Sequence, residues 1–362
     1  MNTPHRSSRW LLSSTLSLVA PFAILIACAI VGCGRSQNSS GNGKAKGASS
    51  GTSSLATDTV AGGGASSSLG PNAAVDNPPP ASVVDRLGRE VALGHVPQRI
   101  VSLSPATTEL LFALGAGPAV VGATNHCNYP VAALEVPRVG SGILEGINRE
   151  AILAIQPDLV VCKMGTHDPL IPLFDRAEIP AISLGAESME ELFAEARLLG
   201  RAIGRSHQAE ELVDRMTLRL SQLVQRVASI APDQQQTVFY EVWDDPLMTA
   251  GPNSFIGELL NLGHMKNIFA DTEARYPRIS SEVVVDRNPQ VILAPSTHMR
   301  QVEFERMAAR PGWANIEAIT KKRVFMINGD QVSRCGPRLL DALEQMIDMV
   351  YPATSGAEVP QP

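Results

Sequence analysis

Aromatic residues make up only 4% of this 362-residue chain, so few rings are available to grip a ligand. Basic residues are also scarce: Lys and Arg number 30 against 36 Asp and Glu, a net charge of −6. That balance argues against nucleic-acid binding, which needs a basic stripe. It suits an acidic body that meets a basic partner surface. Three catalytic signatures are missing from residues 81–353: a Gly-x-Ser-x-Gly elbow (the string occurs at 47–51, in the Ser/Gly-rich stretch), a His-Glu-x-x-His helix and a phosphate-binding loop. No spaced acid–base pair stands out either. A binding function leads, with a metal-binding or enzymatic surface lipoprotein as the alternative from another class.

Apolar residues make up 44% of the chain, enough for two lobes of ordinary size. The reading along the chain gives six segments. Residues 1–33 read as a lipoprotein-type signal, with Arg6 and Arg9 ahead of a long apolar run. Cys33 is the candidate for lipidation and Cys28 the alternative; an uncleaved membrane helix is the competing reading. Either way the chain is expected to be exported and tethered at the periplasm or cell surface. Residues 34–80 are rich in Ser, Gly and Pro and cannot bury a core. As a flexible linker they would reach roughly 35–40 Å. An N-terminal α/β lobe is expected over 81–187, helices over 188–232, a C-terminal α/β lobe over 233–353 and a disordered tail over 354–362.

Within the lobes, short apolar runs alternate with helical periods, which predicts mostly parallel sheets flanked by helices. A hairpin is expected over 83–93. Strands are expected over 99–103, 119–123, 159–162, 181–184, 237–242 and 324–327. Ser104, Ser188 and Ser254 are candidate helix caps. Apolar residues recur every three or four positions over 207–230, which predicts a single long helix of about 36 Å joining the lobes as a strut.

Two stretches, one per half, read nearly alike. Aligning Glu150 with Glu282 also aligns Pro157 with Pro289, the apolar trios after each glutamate, and the strand-like trios 159–161 and 291–293. Each glutamate falls in the first turn of its helix, where the helix dipole favours a carboxylate. Two such acids at matched places suggest docking onto a partner that is itself two-fold, through carboxylate–arginine contacts. A single one would be an ordinary N-terminal helix acid.

The segments 99–110 (Arg-Ile-Val-Ser-Leu-Ser-Pro-Ala-Thr-Thr-Glu-Leu), 128–130 (Asn-Tyr-Pro), 156–160 (Gln-Pro-Asp-Leu-Val), 246–251 (Pro-Leu-Met-Thr-Ala-Gly), 254–260, 267–269 and 336–338 (Gly-Pro-Arg) resemble the helical-backbone (class III) substrate-binding proteins of ABC importers. Among these the likeness is greatest to BtuF-like cobalamin-binding proteins. The resemblance covers about residues 83–352. It implies two Rossmann-like lobes, each a mostly parallel sheet flanked by helices, joined by one long helix. It implies capture of a corrinoid in the interlobe cleft, with a ferric siderophore or haem as alternatives. It gives Glu150 and Glu282 the role of docking into arginine pockets on an ABC permease dimer served by ATPase subunits.

No permanently bound cofactor is implied. The expected cargo is a large metal-chelate small molecule, with the chain a monomer held to the membrane by a lipid anchor.

A cleft at the carboxyl ends of the strands would be lined by Ser104, Pro105, Ala106, Thr107, His126, Cys127, Tyr129, Lys163, Trp243, Tyr276, Asp330 and Arg334. The pattern departs from the family where His126 and Lys163 replace aromatics and where loop 140–146 lacks tryptophan. No metal site of the protein's own is expected. His126 is a weak candidate to coordinate a metal carried by the ligand. A sharper grouping would join it with Cys127 and Cys335 across the cleft. The bland reading pairs Cys127 with Cys162 as a disulfide and leaves Cys335 free. His167 and His298 read as surface or rim residues.

Overall fold

Residues 80–296 and 304–352 are described by a computed structural model. The signal segment with Cys28 and Cys33, the linker up to residue 79, His298 and the tail from 353 lie outside the described residues.

The chain enters through a hairpin of β1 (Ser82–Val84) and β2 (Glu90–Ala92), paired antiparallel around a turn at Gly88. Asp85 closes it, accepting from the Leu87 and Arg89 backbone N–H groups at 3.0 Å each. Then strand and helix alternate: β3 (Ile100–Ser102), α1 (Pro105–Ala113), β4 (Val120–Ala123), α2 (Arg149–Ile155), β5 (Leu159–Lys163), α3 (Ile171–Arg176) and β6 (Ala181–Leu184). Proline opens α1 where a missing N–H costs nothing, and the Ser104 hydroxyl accepts from Thr107 N–H. The four central strands form one parallel sheet in the order β4-β3-β5-β6.

Two helices follow, α4 (Met189–Ala202) and α5 (Ser206–Val227). The second lobe holds β7 (Thr237–Trp243), β8 (Met248–Thr249), α6 (Phe255–Leu262), β9 (Lys266–Asn267), α7 (Ser281–Arg287), β10 (Val291–Pro295), α8 (Phe304–Ala308), α9 (Glu317–Thr320), β11 (Val324–Ile327), α10 (Gly329–Val332) and α11 (Leu339–Val350). Its parallel strands run β9-β7-β10-β11, the same order as in the first lobe, with β8 antiparallel on β7.

The matched stretches become matched units. Helices α2 and α7 each end in a left-handed residue, Gln156 at φ 52° and Asn288 at φ 41°, just before the aligned prolines. Each then feeds the strand that lies second from the edge of its sheet. Glu150 and Glu282 are both exposed in the first turns of these helices.

The expected lone strut has company. Helix α5 spans 22 residues, about 33 Å, but it packs along α4 and against α11. Apolar residues of both sheets, α1, α4, α5, α6 and α11 form one continuous core. Leu212, Val213, Met216 and Leu223 of α5 are buried in it. Arg219 pairs with Asp341 and Glu344, and Arg226 with Glu344 and Asp348, along the α5–α11 seam. Separate cores cover the outer face of each sheet, with Val160, Cys162 and Phe174 in the first lobe and Phe239, Ile292 and Trp313 in the second.

Candidate ligand cleft

In parallel sheets the loops at the carboxyl ends of the strands converge on one edge. Here the two sets face each other and form a polar network across the lobes. Its centre is Glu109 of α1, only 3% exposed. Arg334 Nη1 donates to Glu109 Oε1 at 3.0 Å. Arg338 donates to the same carboxylate through Nε at 2.9 Å and Nη2 at 2.6 Å. Arg334 also reaches Asn128 Oδ1 at 2.8 Å, the His126 carbonyl at 3.2 Å and Asp330 Oδ1 at 2.7 Å. The Asn128 amide closes the ring by donating to Asp330 Oδ2 at 2.8 Å. Every charge of this network is therefore paired, as burial requires.

Two features join this network to the cleft rim. The Arg338 guanidinium lies 3.9 Å from the centroid of the Tyr129 ring, which is 43% exposed. The ring is held from behind by a cation already fixed on Glu109. Ala106, at the start of α1, faces Gly336 across the lobes: a side chain begun at Gly336 would meet Ala106 at 3.6 Å.

A second group sits at the ends of β5 and β6. Lys163 is exposed, and its backbone N–H donates to His167 Nδ1 at 3.1 Å. Nδ1 accepts, so Nε2 carries the proton and donates to the Gly142 carbonyl at 3.0 Å. Burial holds this imidazole neutral and pushes its pKa down to about 4. His167 is thus a wholly buried tie holding loop 140–146, not the surface or rim residue expected. Glu187 follows β6, with Arg275 of the other lobe 4.0 Å from its Oε2. Burial raises the Glu187 carboxyl. Tyr276 packs on Phe255 with ring centroids 6.4 Å apart.

Trp243 ends β7, and its indole N–H donates to the Asp245 carbonyl at 2.9 Å. That turn is braced by the wholly buried Glu241, which takes a two-pronged hydrogen bond from Arg310 at 2.6 and 2.8 Å. Arg310 also holds Asp244 at 2.9 Å and stacks 4.5 Å from the Trp313 ring. Another cavity, of about 620 Å³, is lined by Leu93, His95, Gln156, Asp158 and Pro180. It opens at the amino ends of β5 and β6, at the far end of the sheet from the cleft.

Residues 100–330 match the model of the periplasmic binding protein family. The chain belongs to that family. It is 31% identical over 280 residues to the uncharacterized ABC transporter substrate-binding lipoprotein YvrC of Bacillus subtilis, covering 76% of this chain and 87% of YvrC. It is 29% identical over 286 residues to the vitamin B12-binding protein of Yersinia pseudotuberculosis, covering 78% of this chain and 95% of that protein. The crystal structure of the periplasmic vitamin B12 binding protein BtuF of Vibrio cholerae superposes with a TM-score of 0.61 at 27% identity, over 72% of this chain and 99% of that one. This is the substrate-binding component of an ABC importer, of the helical-backbone class, and it is not an enzyme.

Of the residues expected to line a cleft, Asp330 and Arg334 meet the 126–128 loop beside Tyr129, while Lys163 and Tyr276 both interact electrostatically with Glu187, as does Arg275; Cys127 lies in the core. Ser104 and Thr107 are buried under the start of α1, with Pro105 and Ala106 partly covered. Glu109, Asn128, Glu187, Arg275 and Arg338 carry much of the polar structure without having been singled out from the sequence. A glutamate in the buried run Thr107, Thr108, Leu110, Leu111 was the available signal.

The cysteines depart from expectation. Cys127, Cys162 and Cys335 are free thiols. Cys127 lies in the central core and Cys162 in the outer core of the same lobe, so the sheet separates them and no disulfide forms. Cys127 Sγ is 3.1 Å from the Thr124 hydroxyl, and Cys335 Sγ is 3.7 Å from the Ser188 carbonyl. The grouping of His126, Cys127 and Cys335 is likewise not formed: His126 is exposed while Cys127 is buried. Among the described residues no three or more His, Cys, Asp and Glu side chains gather as a metal site requires.

Proposed function

We propose that this binding protein captures a corrinoid in the interlobe cleft and delivers it to an ABC permease, docking through Glu150 and Glu282. The observation that favours a corrinoid is the relationship to the Yersinia vitamin B12-binding protein along 95% of that protein's length. The exposed Tyr129 ring, stiffened from behind by Arg338, offers one flat wall. Tyr276 and Trp243 are further candidates for packing, and His126 for contact with the ligand's metal. Ser104 to Thr107, Cys127, Lys163, Asp330 and Arg334 complete the proposed lining. Arg334 and Asp330 would act mainly by holding the lobes, since both are engaged across the cleft.

Docking rests on matched geometry. Two exposed carboxylates stand in the first turns of equivalent helices in equivalent lobes. For Glu282, its own backbone N–H and the Ser280 hydroxyl hold the carboxyl below the usual range, so it meets a partner ionised. Carboxylates so placed suit bidentate pairing with arginines of two equal subunits. The protein would be exported and anchored by a lipid on Cys33 or Cys28.

The ligand test is titration of the purified protein with cyanocobalamin, ferric siderophores and haemin, followed by absorbance and calorimetry. Saturable one-to-one binding of cyanocobalamin at micromolar affinity or tighter is expected. Binding of haemin or a ferric siderophore in its place would replace the corrinoid reading with that alternative.

A further inference from the structure

We infer that this cleft, read as the ligand site above, selects ligands whose outer groups are neutral hydrogen-bond donors and rejects carboxylate-bearing ones, with Glu187 enforcing the choice. The inference deepens the corrinoid reading and rests on the same cleft.

At the Glu109 end of the cleft, the cations that would welcome an anion are already committed. Arg334 and Arg338 are satisfied by Glu109 and Asp330, two carboxylates against two guanidiniums. A ligand carboxylate arriving there would find no unpaired donor fork and would displace a buried pair, which is costly.

The other end of the cleft is acidic. Glu187, Glu191, Glu195 and Glu258 stand there against Arg86, Arg275 and Lys163. Most of these acids are occupied. Glu191 accepts from Glu187 N–H at 2.8 Å and pairs with Arg86; Glu195 accepts from Gly185 N–H at 2.6 Å; Glu258 accepts from Met189 N–H at 3.0 Å. Glu187 is different. Its Oε2 is shielded from solvent and has no hydrogen-bond partner among the described residues. Arg275 is 4.0 Å away, beyond hydrogen-bond reach.

A second unsatisfied atom lies nearby. The hydroxyl of Tyr240, wholly buried, also has no hydrogen-bond partner among the described residues. It interacts electrostatically with Tyr276, which in turn interacts with Glu187. A buried acceptor left unpaired is costly. A ligand amide N–H would donate to the open edge of the Glu187 carboxylate, whose side chain is 33% exposed. A ligand carboxylate would be repelled by it and would leave it unpaired. Sites built this way reject the wrong analogue more strongly than apolar pockets do.

The test uses the full-length protein and two ligand pairs in calorimetric titrations. One pair is cyanocobalamin, with neutral side-chain amides, and dicyanocobyrinic acid, with carboxylates in their place. The other is a neutral ferric trihydroxamate and a trianionic ferric tricatecholate. The neutral member of a bound pair is expected to bind at least about tenfold tighter. Glu187→Gln should narrow that ratio at least about fivefold. The exposed Arg275→Gln, which removes the opposing cation, should widen it and checks the idea if Glu187→Gln folds poorly. If the corrinoids fail to bind but the ferric pair shows the preference and its loss in Glu187→Gln, the corrinoid reading falls and the charge selection stands. If cyanocobalamin binds but the ratio is unchanged in both variants, the selection falls and the corrinoid reading stands. Tighter binding of the anionic member by the wild type overturns the inference, and so does binding of neither pair.

Discussion

Replacing Glu109 with alanine removes the one carboxylate that both Arg334 and Arg338 grip. Three hydrogen bonds of 2.6–3.0 Å are lost. The two arginine side chains, only 11% and 14% exposed, stay behind with their charges. Breaking a buried ion pair from one side costs roughly 3–5 kcal/mol, because the surviving charge has neither partner nor water. Arg334 keeps Asp330, Asn128 and the His126 carbonyl, so the loss should fall near the lower end, about 3 kcal/mol. For a body of this size each kcal/mol lowers Tm by about 2–4 °C, giving a drop of about 6–12 °C. Scanning calorimetry and urea unfolding check the value together. The double variant Glu109→Leu, Arg338→Met should recover a large part of the loss, since an apolar pair of similar volume carries no desolvation penalty. Ligand affinity should also fall in Glu109→Ala, because the lobes lose a tie across the cleft and the Tyr129 ring loses its backing. A loss below about 1 kcal/mol would refute the reasoning, since that is what an exposed pair contributes.

Reversing both docking charges, Glu150→Arg with Glu282→Arg, should abolish ligand uptake by cells while leaving affinity in solution unchanged; sustained uptake would remove docking from the picture. His167 makes stability depend on acid. An unfolded imidazole takes its proton near pH 6.5 and the folded one only near pH 4. The unfolded state therefore binds more protons between those values, so stability is full above about pH 6.5 and falls as the pH drops towards 4, by about 3 kcal/mol. Urea midpoints at pH 7 and pH 4.5 should differ less in His167→Gln than in the wild type, and equal differences would count against a neutral buried ring. The thiols give a direct count. Burial pushes Cys162 up to about 12 and raises Cys335 as well, so a thiol reagent at pH 8 should react slowly with the native protein. Unfolded without reductant, residues 80–352 should yield all three thiols. A yield of one would restore the disulfide.

The repeat was legible because it is local. Cap, short helix, left-handed residue, proline and apolar strand follow one another within sixteen residues, and each step is fixed by backbone preference and period. For the same reason the strands, the caps at Ser104, Ser188 and Ser254, and the placement of Glu150 and Glu282 could be read in advance. The parallel sheets followed from the alternation of strand and helix; the order of their strands and the antiparallel β8 did not. What could not be read was which long-range partners those ends would choose. Glu109 and Arg338 are 229 positions apart, and nothing near either names the other. The face of β5 that Cys162 occupies was decided by a pleat of period two, one residue out of step with Val161. That step put the sheet between Cys162 and Cys127. His167 looked like a rim residue because its two acceptor and donor partners, Lys163 N–H and the Gly142 carbonyl, are backbone groups that any sequence would carry.

The sequence by itself therefore determined two equivalent lobes, their parallel sheets and a pair of matched surface acids, since all of these follow from interactions between near neighbours. Only the tertiary structure decided that the lobes share one core through α4, α5 and α11, that Arg334 and Arg338 are consumed by Glu109 and Asp330, and that Glu187 keeps an oxygen unpaired. Charge pairing and burial depend on distances between segments far apart in the chain, and the packing of the two lobes sets those distances.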